Sequence, residues 1–445
     1  MAKPKNNRDP QAALTKSQAT REQILGAAAR LFRRRGYAAS TLRDIAAEAQ
    51  VEAGSIYYHF DSKDAILDEV LDRGVRDIYL GVKAALSDCE EAGADFRTRF
   101  AAAVAAHLTY LLTLSDFTST NIRNYSQLPE AVRRRHLPLR RQYGALWDGL
   151  LKQAQAEGAI RPNLRIVPLR QFVLGALNWT VEWFDPERSS VKMLGERATK
   201  LILDGMATKP EVADTGGMPY RLPEKVALED DGLRPKGDRT REEILRAAAR
   251  LIRDRGYAAA TLRDIASEAA MEAGSIYYHF RSKEKILDEV LDRGLRDIRD
   301  GVRAVICEKG SDRDYRATIA AAIRTHLTFL LARGEFTSAN IRSYGQLPEH
   351  IRERHRPIRR DYSSLWDRLL TEAQAAGALR RDIKVVQLRQ VLLGALNWTV
   401  EWLDPAKADR DGFANLDQFA DMCVQLLLDG IALPPPEESH IKLSA

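Results

Sequence analysis

A run of 23 residues is written twice in this chain. TLRDIAAEAQVEAGSIYYHFDSK occupies 41–63, and TLRDIASEAAMEAGSIYYHFRSK occupies 261–283. The repeat extends well beyond the run. Residues 20–207 return as 240–432, with about three-quarters identity over the leading segment and less beyond it. The offset is 220 in the leading segment, 219 from His107 and His326 onward, and 225 at the last helix. The added residues therefore fall after the turns Trp183-Phe184-Asp185-Pro186 and Trp402-Leu403-Asp404-Pro405. A chain written this way is expected to fold as two copies of one unit.

Within the repeated run the apolar spacing is helical. Leu42, Ile45, Ala46 and Ala49 fall at i, i+3, i+4 and i+7, a stripe one helix wide. Thr41 is the expected N-cap, with Asp44 placed where a helix start favours negative charge. Gln50, Val51 and Glu52 then supply a short turn, and Ala53 to Phe60 are expected to form a second helix. Ile56 and Phe60, four apart, point inward; Ser55, Tyr57, Tyr58 and His59 are left to face a partner. Upstream, Thr20 and Gln23 make a capping box for a helix with Ile24, Ala28, Leu31 and Phe32 inside and Gly36 at its end. Downstream, Ser62 is expected to cap a long helix that buries Ile66, Leu67, Val70, Leu71 and Ile78. The rest of each unit is also helical in pattern, with no period-two alternation.

Residues 20–78 resemble the DNA-binding domain of the TetR/AcrR family of bacterial transcriptional regulators, and residues 240–298 resemble a second one. The carrier is the run G-S-I-Y-Y-H-F-x-S-K with its flanking helices. The resemblance implies an all-α protein of two tandem units. Each would pair a three-helix helix-turn-helix head with a helical ligand-binding and dimerising body. With composition, the expected divisions are a basic disordered arm (1–19), head (20–80), body (81–207), linker (208–238), head (239–300), body (301–433) and disordered tail (434–445). The linker, rich in Pro, Gly, Asp and Glu, is long enough to join one body to the next head without dictating their arrangement.

Roles for double-stranded DNA follow from the same resemblance. Arg43 would present its guanidinium fork to a guanine edge. Ala53, Gly54, Ser55 and Tyr57 would enter the groove, and Thr41, Tyr58, His59 and Lys63 would grip phosphates. Their counterparts are Arg263, Ala273, Gly274, Ser275, Tyr277, Thr261, Tyr278, His279 and Lys283. Structural alternatives stand beside these: a ring tucked under the head for Tyr57, a salt bridge for Arg43. The family implies homodimers, yet here one chain carries both heads. A covalent pseudo-dimer is the simplest arrangement, and two chains on a longer operator is the other.

In the bodies, Leu174 to Trp183 matches Leu393 to Trp402, and Trp179 and Trp183 are expected as core or interface aromatics. His107, Asn121, Arg123, Tyr125, Trp147 and Asn178, with His326, Asn340, Arg342, Tyr344, Trp366 and Asn397, are polar or aromatic positions in apolar helical runs. They are either satisfied core residues or the anchors of an effector pocket. The N-W-T-x-x-W-x-D-P turn is similar to that of regulators sensing acyl-CoA thioesters or other hydrophobic metabolites. Arg133, Arg134, Arg135, Arg140 and Arg141 either attract an anionic ligand or form a solvated face.

Composition narrows the rest. The chain has 445 residues, 45% apolar and 29% charged, with a net charge of +6 that permits an acidic partner without requiring one. Three scattered cysteines carry no metal-binding spacing, and no apolar stretch suggests a signal or a membrane span, so a cytoplasmic protein is expected. No nucleophile–base constellation, phosphate-cradling glycine loop or metal cluster points to an enzyme, and no cofactor is expected. A DNA binder of the same fold without an effector and a helical interaction scaffold are the remaining rivals.

Overall fold

The computed structural model describes residues 16–37, 39–125, 128, 130–206, 236–255, 260–307, 313–332, 334–343, 347, 349–403 and 416–431. Residues 1–15 of the expected arm, 208–235 of the expected linker and the tail lie outside them, whereas 16–19 and 236–238 are helical and belong to the heads. Among the described residues every regular element is a helix and none is a strand. No single described helix is long and apolar enough to cross a membrane.

The first unit opens with α1 (Lys16–Arg35), α2 (Leu42–Glu48) and α3 (Ala53–Ile56). Helix α1 starts at Lys16, four residues before the expected Thr20 cap, and ends at Gly36, whose φ of 79° takes the left-handed conformation glycine tolerates. Thr41 forms the expected capping box with Asp44 at the start of α2. Helix α3 is shorter than expected. After Ile56 the chain closes with i→i+3 bonds, Tyr58 N–H to Ser55 O and His59 N–H to Ile56 O, so Tyr57 to His59 form a turn. Ser62 then caps α4 (Lys63–Glu91), which carries the head into the body. The body is α5 (Phe96–Thr109), a π-helical turn, α6 (Asp116–Asn124), α7 (Glu130–Ala156), α8 (Ile166–Asn178) and α9 (Val191–Met206).

The second unit repeats this order as α10 (Lys236–Arg255), α11 (Leu262–Glu268), α12 (Ala273–Ile276), α13 (Lys283–Ile306), α14 (Tyr315–Leu327), α15 (Glu335–Ser343), α16 (Glu349–Ala375), α17 (Val385–Trp398) and α18 (Leu416–Ile431). Each head has its own core, with Ile24, Phe32, Ile45, Ile56 and Phe60 in the first and Ile244, Ile252, Ile265, Ile276 and Phe280 in the second. The two bodies instead share one continuous apolar core.

That shared core is an interface between the units. α8 packs on α17 and α9 on α18, a bundle made by both halves of the chain. Its contacts are reciprocal, as a two-fold interface requires. Gly175 faces the ring of Trp398, and Gly394 faces that of Trp179. Arg161 pairs with Asp429, and Arg380 pairs with Asp204. At Gly175 an added Cβ would lie 2.8 Å from Trp398, so only glycine allows this approach. Trp179 and Trp398 are thus interface aromatics, one of the roles expected for this stretch.

Candidate nucleic-acid interface and body network

Helices α1 and α4 hold the reading surface between them. Arg21 forms a two-point ion pair with Glu69 and stacks on Phe60 at 4.7 Å, and Arg241 does the same with Glu289 and Phe280 at 4.6 Å. Buried Ile56 and Phe60 then fix which residues turn outward. Ala53 and Gly54 are exposed, Ser55 and His59 half-buried, and Tyr57 and Tyr58 are 64% and 89% exposed. Ala273, Gly274, Ser275 and His279 repeat this pattern, with Tyr277 and Tyr278 at 61% and 90%. Exposed aromatic rings on this scale have no packing role, so Tyr57 does not tuck under the head. Arg43 and Arg263 are exposed, and no ion pair engages them among the described residues.

Two of the phosphate-gripping candidates carry structural duties. The Thr41 hydroxyl accepts from Asp44 N–H and donates to its carboxylate at 2.6 Å, which holds that carboxyl below the usual range. The Thr261 hydroxyl makes the same pair with Asp264. The Lys63 ammonium donates to the carbonyls of Tyr37 (3.1 Å) and Ser40 (2.8 Å) and lies over the Tyr37 ring. Burial lowers its pKa, and that of Lys283. Lys63 therefore ties the α1–α2 connection to the start of α4.

The body candidates separate into two groups. His107, Trp147 and Asn178 come together around a residue sequence reading missed, Tyr143. The Tyr143 hydroxyl donates to His107 Nδ1 at 2.7 Å, and His107 Nε2–H donates to Asn178 Oδ1 at 3.1 Å. The proton sits on Nε2 because the amide oxygen only accepts. His107 is fully buried and its pKa is pushed down to about 4 by burial, so the ring is neutral; Tyr143 is pushed up by the same cause. His326, Tyr362, Asn397 and Trp366 reproduce the arrangement with the same distances. The available signal for Tyr143 was its place four residues before Trp147, on the same helix face.

Asn121 and Asn340 belong elsewhere, at the joint between body and head. Asn121 donates to the Leu71 carbonyl of α4 (3.0 Å) and accepts from Arg140; Asn340 does so with Leu291 (2.9 Å) and Arg359. Arg140 also stacks on Tyr125 at 3.8 Å, so within the arginine run it is a structural residue. Alongside, Thr118 donates to the Gly74 carbonyl (2.9 Å) and Thr120 to Ala29 (2.8 Å), which clamps α6 onto α1 and α4. Arg342 donates to the carbonyls of Arg253 in the head and Val400 in the body, and its Nε meets Glu401 at 3.2 Å. Tyr344 and the side chain of Arg123 lie outside the described residues. The ten body candidates whose side chains are described thus do not gather at one place. An apolar crevice lies instead between the bodies, lined by Phe172, Leu201, Ile202, Val391, Leu426 and Leu427 among others.

Comparison with known proteins agrees with this architecture. The domain described as bacterial regulatory proteins, tetR family, matches residues 24–70 and 244–290. The domain described as tetracyclin repressor-like, C-terminal, matches 93–206 and 312–431. The chain belongs to the TetR family. It is a tandem duplication of the family's head and body, and a DNA-binding transcriptional regulator. The HTH-type transcriptional repressor KstR2 of Rhodococcus jostii is 30% identical over 210 residues, covering 46% of this chain and 96% of the relative. The fatty acid metabolism regulator protein of Bacillus subtilis is 24% identical over 190 residues, 42% of this chain and 94% of the relative. Among solved structures, the TetR-family regulator PfmR of Thermus thermophilus is 25% identical, covers 40% of this chain and 96% of its own, and has a TM-score of 0.37. Each relative spans about one of the two units present here.

Proposed function

We propose that this TetR-family chain is a repressor that grips both arms of one inverted-repeat operator as a covalent pseudo-dimer. The observation that carries the reading is the reciprocal interface, Gly175 on Trp398 and Gly394 on Trp179. A body surface already satisfied within the chain leaves two heads at a fixed separation. Both heads offer the same run, EAGSIYYHF, and so read like half-sites. Arg43 and Arg263 contact guanine edges. Ala53, Gly54, Ser55 and Tyr57, with Ala273, Gly274, Ser275 and Tyr277, enter the groove. Tyr58, His59, Tyr278 and His279 meet the backbone, with Thr41, Lys63, Thr261 and Lys283 in support. Linking the heads makes the second half-site contact intramolecular and raises apparent affinity.

A small hydrophobic or acyl-CoA-like effector releases the operator in this reading. The name of the Bacillus relative supports that class. The effector would bind in the bodies and bias head spacing through the α6 and α15 clamps, in proportion to its preference for the released state. A second reading, a DNA binder without effector, is favoured by one observation: both ring nitrogens of His107 and His326 are satisfied and buried.

The test is selection of bound sequences from random duplex DNA by the purified chain, followed by challenge with a panel of fatty acyl-CoAs and fatty acids. An enriched inverted repeat that one panel member releases is the expected result. Enrichment without release by any member selects the effector-free reading, and no enrichment at low or moderate salt removes the repressor.

A further inference from the structure

The two heads share a reading run but not its surroundings. One residue past that run the first head has Asp61 and the second has Arg281; both are exposed. Four residues further on, Ala65 is replaced by exposed Lys285. Between Phe60 and Ile66 the first head carries Asp61, Lys63 and Asp64, a net −1. Between Phe280 and Ile286 the second carries Arg281, Lys283, Glu284 and Lys285, a net +2.

Helix energetics give no reason for this change. Residues 65 and 285 are the third of their helices, and the backbone N–H of each is held by the Ser62 or Ser282 cap. A helix start is positive and favours carboxylates, as Asp64 illustrates in the first head. Lys285 stands against that preference, beside a second new cation at Arg281. Up to Ile78 and Ile298 the remaining charge differences lie on the first helix of each head. There Asp238, Arg239, Glu243, Arg246 and Asp254 replace Gln18, Ala19, Gln23, Gly26 and Arg34, a net change of −2, with Arg246 paired to Glu242 and Asp254 to Arg253. The net gain of positive charge is thus confined to the flank of the reading run.

We propose that the heads are unequal: the second anchors the chain to DNA through extra phosphate contacts by Arg281 and Lys285, and the first is the weaker arm that engages after it and leaves before it. Tyr278, three residues before Arg281, is 90% exposed, and Arg281 and Lys285 are exposed as well, so the added cations follow directly on the run offered to the groove. A homodimer of identical chains has no means of encoding such a difference; a tandem chain does. The inference rests on the proposed operator-binding role of the heads.

The experiment disables one head at a time in the full chain. Gly54 and Gly274 lie exposed on α3 and α12, and a Cβ at either meets nothing within 4 Å, so Gly54→Glu and Gly274→Glu place a carboxylate on the reading face without disturbing the fold. Binding to a random-sequence duplex of about 40 base pairs is measured across a salt series, where phosphate contacts dominate. Gly54→Glu, which leaves the second head, should bind at least about tenfold more tightly near 0.1 M salt than Gly274→Glu, with a log–log salt slope steeper by about 2. Adding Asp61→Arg and Ala65→Lys to Gly274→Glu should close the gap. Equal affinities and slopes for the two single variants would overturn the asymmetry, as would tighter binding by Gly274→Glu. The doubly disabled chain separates the two ideas. Its loss of binding confirms that the heads hold DNA, so that equal single variants then count against the asymmetry alone. Binding by that double variant equal to wild type overturns both.

Discussion

Between the two units, the Tyr143–His107–Asn178 chain and its Tyr362–His326–Asn397 counterpart repeat at 2.7 and 3.1 Å, while the flank of the heads exchanges Asp61 for Arg281. Both regions descend from the same duplication, so the difference reflects what each must satisfy. A buried polar chain has few solutions, because every donor removed leaves an acceptor stranded at a cost of about 1–3 kcal/mol. An exposed flank carries no such constraint, and its charge is free to follow the partner. Paired interior positions should therefore respond alike to substitution, and surface positions should not.

Acid gives the largest effect. Burial holds both imidazoles near 4 against an ordinary 6.5, and both are neutral in the folded protein. Between those values the unfolded chain binds protons that the folded chain does not. Stability is thus fully present above about 6.5 and is lost as pH falls toward 4, at up to about 1.4 kcal/mol per pH unit for each histidine. Thermal melts from pH 7 to 4 should show the double variant His107→Gln/His326→Gln losing melting temperature less steeply than wild type. The two single variants should match each other; a response confined to one unit would break the equivalence.

At the interface, Gly175→Val should cost about 1–3 kcal/mol by driving a side chain into Trp398. Gly394→Val should cost about as much, because its contact with Trp179 is the reciprocal one at 3.0 Å. Urea unfolding of both variants measures this, and a cost confined to one of them would break the equivalence. At the head–body joint, Asn121→Leu and Asn340→Leu should each cost about 1–2 kcal/mol, since each removes one acceptor from an arginine and the donor to a buried backbone carbonyl. The same titration checks it, with a large difference between the two counting against equal joints.

The smallest effect lies in the turn before the reading helix. Gln50 and Ala270 sit at φ 55° and 52°, where a Cβ is strained. Ala270→Gly should stabilise by about 0.5 kcal/mol, the strain relieved less the added chain entropy. A lowered melting temperature would contradict this account of the turn.

The heads were largely legible in sequence because their signals are local. Thr41 with Asp44, Ser62, and the i, i+4 pair Ile56 and Phe60 each specify a cap or a face by spacing alone. The start of α1 was not legible, since Lys16 to Ala19 carry no apolar periodicity. Nor was the early end of α3 at Ile56, because a turn of i→i+3 bonds leaves the same residues inward as a helix would. In the bodies, sequence grouped Asn121 with His107 as polar residues in apolar runs. Periodicity cannot say which of two packed neighbours a residue faces, and Asn121 faces α4 and Arg140. Tyr143 was masked by the arginines before it. The interface partners Gly175 and Trp398 lie more than two hundred residues apart, and only the fold brings them together.

The most direct test of the pseudo-dimer is the mass of the chain bound to its selected duplex, read by native mass spectrometry. One 50.0 kDa chain per inverted repeat is the predicted result. Two chains on every occupied duplex, with none at one to one, would place the functional dimer between molecules and contradict the account.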